Sequence, residues 1–250
     1  MRTPTPVALA VPALAALALA GALSGCQSTQ EQSAKLEAKA KLEKREHPTS
    51  AQHGLSIAHP STEAKVLEAT VLPGSEGAAV AVTVENTSAQ ALEAVPIAIA
   101  VKGASGQIVY QNNTTGLEPS LTEISSLPAH EPVTWVDDQI PASGEPASVH
   151  ATVGEAPAAQ GALPQIAVSG LSLAEASTGE TAGTVHNRST VDQRHLVVYV
   201  TAVRSGRIVA AGRAVLAELA AGASMPFQVF LIGSPDGARL VADAPAVASG

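Results

Sequence analysis

The chain has 250 residues, which is enough for one large domain or two small ones. Apolar residues make up 46% of it but aromatic residues only 2%, so the core must be aliphatic and a stacking surface for bases is hard to build. The net charge of −8 also disfavours a phosphate backbone, which needs clustered Lys and Arg. Composition and charge therefore argue against nucleic-acid binding.

The amino terminus has the pattern of a secretory signal peptide over residues 1–25. Arg2 precedes a run of Ala, Leu and Val, and small residues follow that run. The segment leads into Leu23-Ser24-Gly25-Cys26, and Cys26 is the only cysteine, so the chain cannot form an internal disulfide. An ordinary signal peptide with a coincidental cysteine is the alternative interpretation.

The residues Leu23-Ser24-Gly25-Cys26 resemble a bacterial lipobox. The resemblance implies cleavage after Gly25, diacylglycerol and palmitate on Cys26, and a mature lipoprotein on the extracytoplasmic face of the cell membrane. Two or three acyl chains hold a protein firmly, because each buried methylene contributes about 0.8 kcal/mol. No later apolar run approaches the roughly 20 residues of a membrane span. Cys26 is therefore the only membrane attachment that we predict.

Residues 26–64 have no hydrophobic pattern able to form a core, and we interpret them as a tether. Between residues 31 and 46, Glu and Lys stand four apart in the favourable order, which predicts a short solvated helix. Contact of these lysines with anionic lipid is the alternative. The tether histidines are interpreted as linker polarity rather than metal ligands, because binding would have to order the segment: His47, His53 and His59.

From residue 66 onward, short apolar runs alternate with period two between Gly, Pro, Asn and Ser, which predicts an all-β fold. The expected strands of the first half include the runs around Val80–Val84 and Val95–Val101, each with its valines and isoleucines on one face. For residues 213–222 a short helix is the alternative to a strand. The other expected strands are 66–72, 107–111, 121–126, 133–137, 147–153, 165–173, 181–187, 195–203, 207–216, 225–232 and 239–243.

The two halves of this region resemble each other in sequence. Residues 84–88 match residues 185–189, and residues 106–109 match residues 206–209. Leu127 with residues 132–135 aligns more loosely with Leu219 and residues 226–229. These matches predict two tandem Ig-like β-sandwich domains, residues 65–158 and 165–250.

The pattern of the halves resembles the bacterial Ig-like modules of the FxLYD type, although the Phe-x-Leu-Tyr-Asp string is absent. The resemblance implies an extracytoplasmic, non-catalytic module without transferable site residues. The sequence contains no nucleophile elbow, phosphate loop, dinucleotide loop or zinc-protease motif. We therefore predict no catalytic residue, no cofactor and no metal ion, and the protein is not expected to be an enzyme.

Three groups of polar residues remain as candidates for other roles. Asp137 and Asp138 are interpreted as a solvated acidic surface rather than a cation site, because neighbours on a strand point to opposite faces. Asn86 and Asn187 are expected in strand-ending turns. Five arginines are expected to form one basic edge, which either protects strand edges or meets the acidic half of a neighbour: Arg188, Arg194, Arg204, Arg207 and Arg213.

These observations predict a lipid-anchored extracytoplasmic protein that presents Ig-like domains to another protein or to the cell wall. Two alternatives stay open. The first is a carrier of small ligands or ions that works with a transporter, and the second is a structural spacer without a partner.

Overall fold

β-Strands dominate the computed structural model, which describes residues 54–247. The expected all-β class is confirmed, and residues 213–219 continue a strand rather than a helix. Among these described residues there is one short 3-10 helix, Pro119–Leu121. The strands are β1 (Ala64–Pro73), β2 (Gly77–Asn86), β3 (Leu92–Gly103), β4 (Ile108–Gln111), β5 (Glu123–Leu127), β6 (Pro132–Pro141), β7 (Pro146–Val153), β8 (Ile166–Glu175), β9 (Glu180–Asn187), β10 (Gln193–Arg204), β11 (Arg207–Leu219), β12 (Ser224–Phe230), β13 (Ile232–Gly233) and β14 (Arg239–Asp243).

Strand pairing follows the same plan in residues 64–153 and 166–243, which we call the first and second repeat. In the first repeat, β2 lies between β1 and β6, while β3 pairs with β4, β5 and β7. In the second repeat, β9 lies between β8 and β12, while β10 pairs with β11 and β14. All these pairs are antiparallel, and each repeat therefore contains two sheets with sandwich-like character.

The first repeat contains an insertion of eight residues relative to the second repeat. Residues 107–127, which include β4 and β5, correspond to the single strand β11. The additional chain is pinned by Asn112, whose side chain bonds to backbone groups of Ile97, Ile99 and Leu121. This loop shifts the later alignment, so Trp135 is equivalent to Phe227. The sequence alignment of residues 132–135 with 226–229 is wrong by two residues, since Trp135 pairs with Val82 and Phe227 pairs with Gly183.

The turns at Asn86 and Asn187 are equivalent in atomic detail. Each asparagine ends a strand, and its Oδ1 accepts bonds from the backbone N–H and the hydroxyl of the serine two residues later. The Asn86 Nδ2 donates to the carbonyl of Leu127, and the Asn187 Nδ2 donates to that of Leu219. The expectation of strand-ending turns is confirmed, and the buried amides also tie each turn to a distant strand.

Strands β2 and β10 are buried on both faces, because the two repeats pack against each other. Val80, Val82 and Val84 share a face as expected, but Ala79 and Ala81 on the opposite face are also fully buried. On β10, alternate residues enter two different hydrophobic clusters. The cluster of the first repeat includes Val197, Tyr199 and Ala211, and that of the second includes Leu196, Val198, Val200 and Ala210.

The second sheet of the second repeat therefore packs on the first sheet of the first repeat, and the four sheets form four layers. Strand β11 contacts β1, β2 and β6, and β10 contacts β6. Strand β6 runs across this partner sheet, since it reaches β14 at Thr134 and β11 at Asp138. Crossing three strands within five residues is typical of steeply angled sheet packing. Burial of this second face joins the repeats into one compact unit.

The chain before β1 also packs on the first repeat. Pro60 forms a β-bridge with Gly154, and the N–H of Ser61 donates to the carbonyl of Val153. Leu55 and Ile57 are half-buried. The last part of the segment that we interpreted as tether thus lies along the first repeat. The signal peptide, Cys26, His47, His53 and the expected helix lie outside the described residues.

Candidate functional site

Asp137 and Asp138 point to opposite faces of β6, as their neighbouring positions predicted. The interpretation of this pair as a solvated acidic surface is wrong. Asp137 is fully buried in the first repeat, and Asp138 faces the second repeat, where its side chain is only 20% exposed. Both carboxylates are used to hold layers together, and their divergence prevents them from chelating one cation.

Asp137 bonds to the neighbouring sheet through Tyr110. The Tyr110 hydroxyl donates to Asp137 Oδ2 at 2.8 Å, and the backbone N–H of Gln139 donates to Oδ1 at 2.9 Å. Burial raises the pKa of Asp137, although both hydrogen bonds and Arg213 favour its charged form. Burial, followed by the adjacent carboxylate, also raises the pKa of Tyr110. The pair is a structural link between sheets, in which Asp137 is fully buried and Tyr110 is half-buried.

Arg213 joins the second repeat to the first. Its Nε donates to Asp138 Oδ1 at 3.0 Å, its backbone N–H donates to Asp138 Oδ2 at 3.2 Å, and its Nη1 donates to Ser120 Oγ at 2.7 Å. Glu118 lies at 4.0 Å but is 68% exposed, so its contribution is small. Ser120 belongs to the additional loop of the first repeat. We call Arg213, Asp138 and Ser120 the Arg213 cluster.

The expectation that Arg213 belongs to an exposed basic edge is wrong, because its side chain is only 5% exposed. An attraction between the two halves, which we considered only as an alternative and between neighbouring molecules, exists at Arg213 within one chain. The signal was difficult to find, since Arg213 and Asp138 are separated by 75 residues and each lies in an ordinary strand pattern.

Asp243 forms a second polar contact between the repeats that sequence reasoning missed. Its Oδ2 accepts the backbone N–H of Thr134 at 3.0 Å, and burial raises its pKa. Tyr199 lies opposite Asp243 in the neighbouring strand, and its hydroxyl has no hydrogen-bond partner within residues 54–247. The interface is therefore mainly apolar, with a few polar bonds that set its register.

The raised pKa values of Asp137 and Asp243 predict a stability that increases as the pH falls. A group whose pKa is higher in the folded state binds its proton more tightly there, so protonation favours folding and this contribution is lost as the pH rises. We expect a larger free energy of unfolding at about pH 5 than at about pH 7. Urea unfolding followed by Trp135 fluorescence measures it.

The Asp137→Asn variant tests which group carries this pH dependence, because asparagine keeps an acceptor for Tyr110 but does not titrate. We expect a smaller increase in stability on acidification in this variant. The exposed Glu131→Gln change is the matched control and should leave the dependence as in the natural chain. A natural protein that is more stable at the higher pH contradicts this prediction.

The other four arginines of the predicted edge are exposed, but they lie at two places. Arg204 and Arg207 face each other across the β10–β11 turn, whereas Arg188 follows β9 and Arg194 is the second residue of β10. Arg239 pairs with Val203 and thus joins Arg204 and Arg207 at the turn. Sequence reasoning missed Arg239, because only the β10–β14 register brings it there. The prediction that all five arginines form one basic edge is therefore wrong.

One histidine, His186, contacts two serine hydroxyls, which are residue types that occur in reaction centres. His186 lies between Ser169 and Ser224, with both hydroxyls 2.7 Å from its ring nitrogens, but this group lies on an outer sheet face. Serine and histidine need donors for a developing oxyanion as well, and this contact alone supplies none. Within residues 54–247, no three His, Cys, Asp or Glu side chains are grouped closely enough to hold a metal ion.

A groove of about 620 Å³ lies where the linker between the repeats meets the end of the described chain. Its walls include Ser126, Glu131, Arg188 and Asp243, together with residues 163–168 and 242–246. The buried Ser126 hydroxyl has no hydrogen-bond partner within the described residues. The volume lies in the range of small-molecule pockets, so the groove is the concave feature that a carrier interpretation would use.

The comparisons with known proteins assign no family to this chain. No protein-family model matches it, and a search of the curated proteins also finds no match. Among residues 54–247, no helix has the length and hydropathy to span a membrane.

Proposed function

We propose that the protein is a lipid-anchored, non-catalytic protein of the cell envelope that presents a two-repeat β unit to a partner. One observation carries the proposal. Five ionisable side chains in and between the repeats are bonded to other parts of the fold: Tyr110 to Asp137, Arg213 to Asp138, and Asp243 to a backbone N–H. Groups used in this way hold sheets together, whereas a catalytic group must reach a substrate.

Two features support presentation by a rigid unit. Strands β2 and β10 are buried on both faces, so the repeats have little freedom to move independently. In the first repeat, β1, β2 and β6 form one sheet, and β3 pairs with β7 in the other. In the second repeat, β8, β9 and β12 form one sheet, and β10 pairs with β14 in the other. We assign these two repeats as Ig-like sandwiches in tandem on this order. The resemblance to FxLYD modules stays a prediction.

The anchoring part of the proposal rests on the sequence around Cys26. The lipobox-like residues end an apolar leader, and 27 residues separate Cys26 from Gly54, where the described unit begins. Lipid on Cys26 would hold the unit at the outer surface of the cell membrane, because acyl chains bury many methylenes. The partner is then a protein or a wall polymer at that surface.

Replacing Cys26 by serine is expected to abolish lipid attachment and membrane retention. Serine has no thiol to accept diacylglycerol, so the variant should be secreted or stay as the uncleaved precursor. Mass spectrometry of the amino-terminal peptide and membrane fractionation measure both effects, with Ser24→Ala as a neighbouring control expected to remain lipidated. A Cys26→Ser protein that still partitions fully with membranes contradicts the proposal.

The groove beside Ser126 favours a second candidate function, a carrier of a small polar ligand. The unpaired Ser126 hydroxyl and the charges of Glu131 and Arg188 are groups that such a ligand can use. Ligand binding to the folded state raises the Tm. A screen of metabolites and Ca²⁺ should therefore find a Tm increase that Ser126→Ala or Arg188→Ala removes, and no increase favours the partner-presenting function.

A further inference from the structure

One end of the second repeat carries three exposed arginines. Arg204 and Arg207 are opposite residues at the base of the two-residue turn Ser205-Gly206. Arg239 starts β14 beside them, and Arg204 Nη1 donates to the carbonyl of Asp236 at 2.6 Å. Arg204 and Arg207 lie on one face of the hairpin, whereas Arg239 is opposite Val203 and lies on the other face, so the three arginines flank the same hairpin end. We call Arg204, Arg207 and Arg239 the arginine tip.

The charges of the arginine tip are not used inside the fold. All three residues are exposed, and within residues 54–247 none of them forms a salt bridge. The one acid in the adjoining loop is Asp236, whose carbonyl orients Arg204. In contrast, the equivalent hairpin of the first repeat, residues 104–107, carries no charged side chain. The arginines are therefore a property of this turn and not of the repeated fold.

The surrounding charge of the protein has the opposite sign. Residues 61–160 contain two lysines and twelve acids, while residues 161–250 contain six arginines and six acids. An anionic surface would thus repel the first repeat and attract the arginine tip. Such a charge distribution turns the molecule in a defined direction, although the protein as a whole is acidic.

We propose that the arginine tip docks on the anionic lipid headgroups of the membrane that holds Cys26, so that the Ser205-Gly206 end of the β10–β11 hairpin faces the membrane. This inference rests on the proposed function, because the lipid anchor keeps the unit close to that surface. A soluble anionic partner would have to reach the arginine tip by diffusion, whereas the lipid anchor keeps the protein close to the membrane surface at all times.

The chain between anchor and unit is long enough for this orientation. The 27 residues from Gln27 to His53 span up to about 90 Å when extended. Four sheets stacked about 10 Å apart have a thickness of about 40 Å. The extended tether is longer than the unit is thick, so its length allows the arginine tip to reach the membrane.

The expected preference for this orientation is moderate. Each basic residue near an anionic lipid surface favours the docked state about fivefold, so three arginines give about a hundredfold. Asp236 opposes one of them, which leaves an expected bias of about 25-fold. The preference should decrease strongly in high salt, because ions screen exposed charges over a few ångströms at about 1 M.

The test uses the lipidated full-length protein in vesicles, with a dye at Ser205→Cys and an acceptor among the lipids. Cys26 is the only natural cysteine and is blocked by lipid, so the new thiol is labelled alone. We expect more energy transfer in vesicles with about 30 mol% phosphatidylglycerol than in pure phosphatidylcholine. A dye at Ser105→Cys, in the equivalent uncharged hairpin, should not show this increase.

Two double variants with the same change in net charge distinguish docking through the arginine tip from a general effect of the protein's net charge. R204E/R207E should remove the increase at Ser205, whereas K65E/K102E, at exposed positions of the first repeat, should keep it. Equal loss in both variants, or equal transfer on both lipid mixtures, overturns tip docking even when the protein stays bound to the vesicles. Protein that carries no lipid and does not float with the vesicles overturns the proposed function itself, which is a different result.

Discussion

Replacing Arg213 by alanine is expected to lower the free energy of unfolding by about 3 kcal/mol. The change leaves Asp138 without its cation and Ser120 without its donor at an interface where Arg213 is 5% exposed. Breaking one partner of a buried pair costs more than the pair contributes net, because the remaining charge stays desolvated. Urea unfolding followed by circular dichroism and by Trp135 fluorescence measures the change.

The two probes also test whether the repeats unfold together. Trp135 is the only tryptophan and lies in the first repeat, while Arg213 lies in the second. We expect both transitions to move to lower urea in parallel, because the inner sheets share a core. The exposed Arg194→Ala change is the matched control and should alter stability by less than about 0.5 kcal/mol. An Arg213→Ala protein as stable as this control contradicts the role of the Arg213 cluster.

Replacing Asn187 by alanine is expected to cost about 3 kcal/mol. The buried Asn187 amide donates to the carbonyls of Val191, Leu219 and Ala220, and its oxygen accepts two bonds from Ser189. Alanine leaves these groups unpaired, and the carbonyl of Leu219 has little access to water. Urea unfolding again provides the measurement.

The repeat supplies its own comparison for this prediction. Asn86 makes the corresponding bonds in the first repeat, so Asn86→Ala should destabilise the protein by a similar amount. Thr190→Ala changes an exposed residue of the same turn as Asn187 and should have little effect. A loss below about 1 kcal/mol for both asparagine variants would show that the amides are not structural anchors.

Local pattern was sufficient to predict the strands. Valine and isoleucine at alternate positions of β2 and β3 mark the face that packs inside the first repeat, and Gly, Asn and Pro mark the turns. The same reasoning places Ser205-Gly206 in a tight hairpin, where both residues have positive φ values. These features depend on residues close together in the chain, which is why a single sequence reveals them.

The packing between repeats was not predictable in this way. On β2 the second buried face consists of Ala79 and Ala81, and alanine does not distinguish a buried face from an exposed one. The Arg213 cluster and the Thr134–Asp243 contact join residues that are 75 to 109 positions apart. Charged residues in strands are usually solvated, so the pattern favoured a surface for both Asp138 and Arg213.

Two of the three residues of the arginine tip were evident from the sequence. Arg204 and Arg207 flank an evident turn, but Arg239 joins them only through the register of β10 with β14. The register of Trp135 was wrong for a similar reason, since eight additional residues precede it and short matches do not locate an insertion. Both errors concern strand pairing over long sequence separations, which local patterns do not encode.

The presentation of this unit to a partner is tested most directly by crosslinking in living cells, followed by mass spectrometry. The full-length protein is compared with its Cys26→Ser form, which has the same β unit without the anchor. The account predicts one envelope partner recovered in high yield from the anchored form and lost from the unanchored form. Identical background proteins from both forms would contradict it.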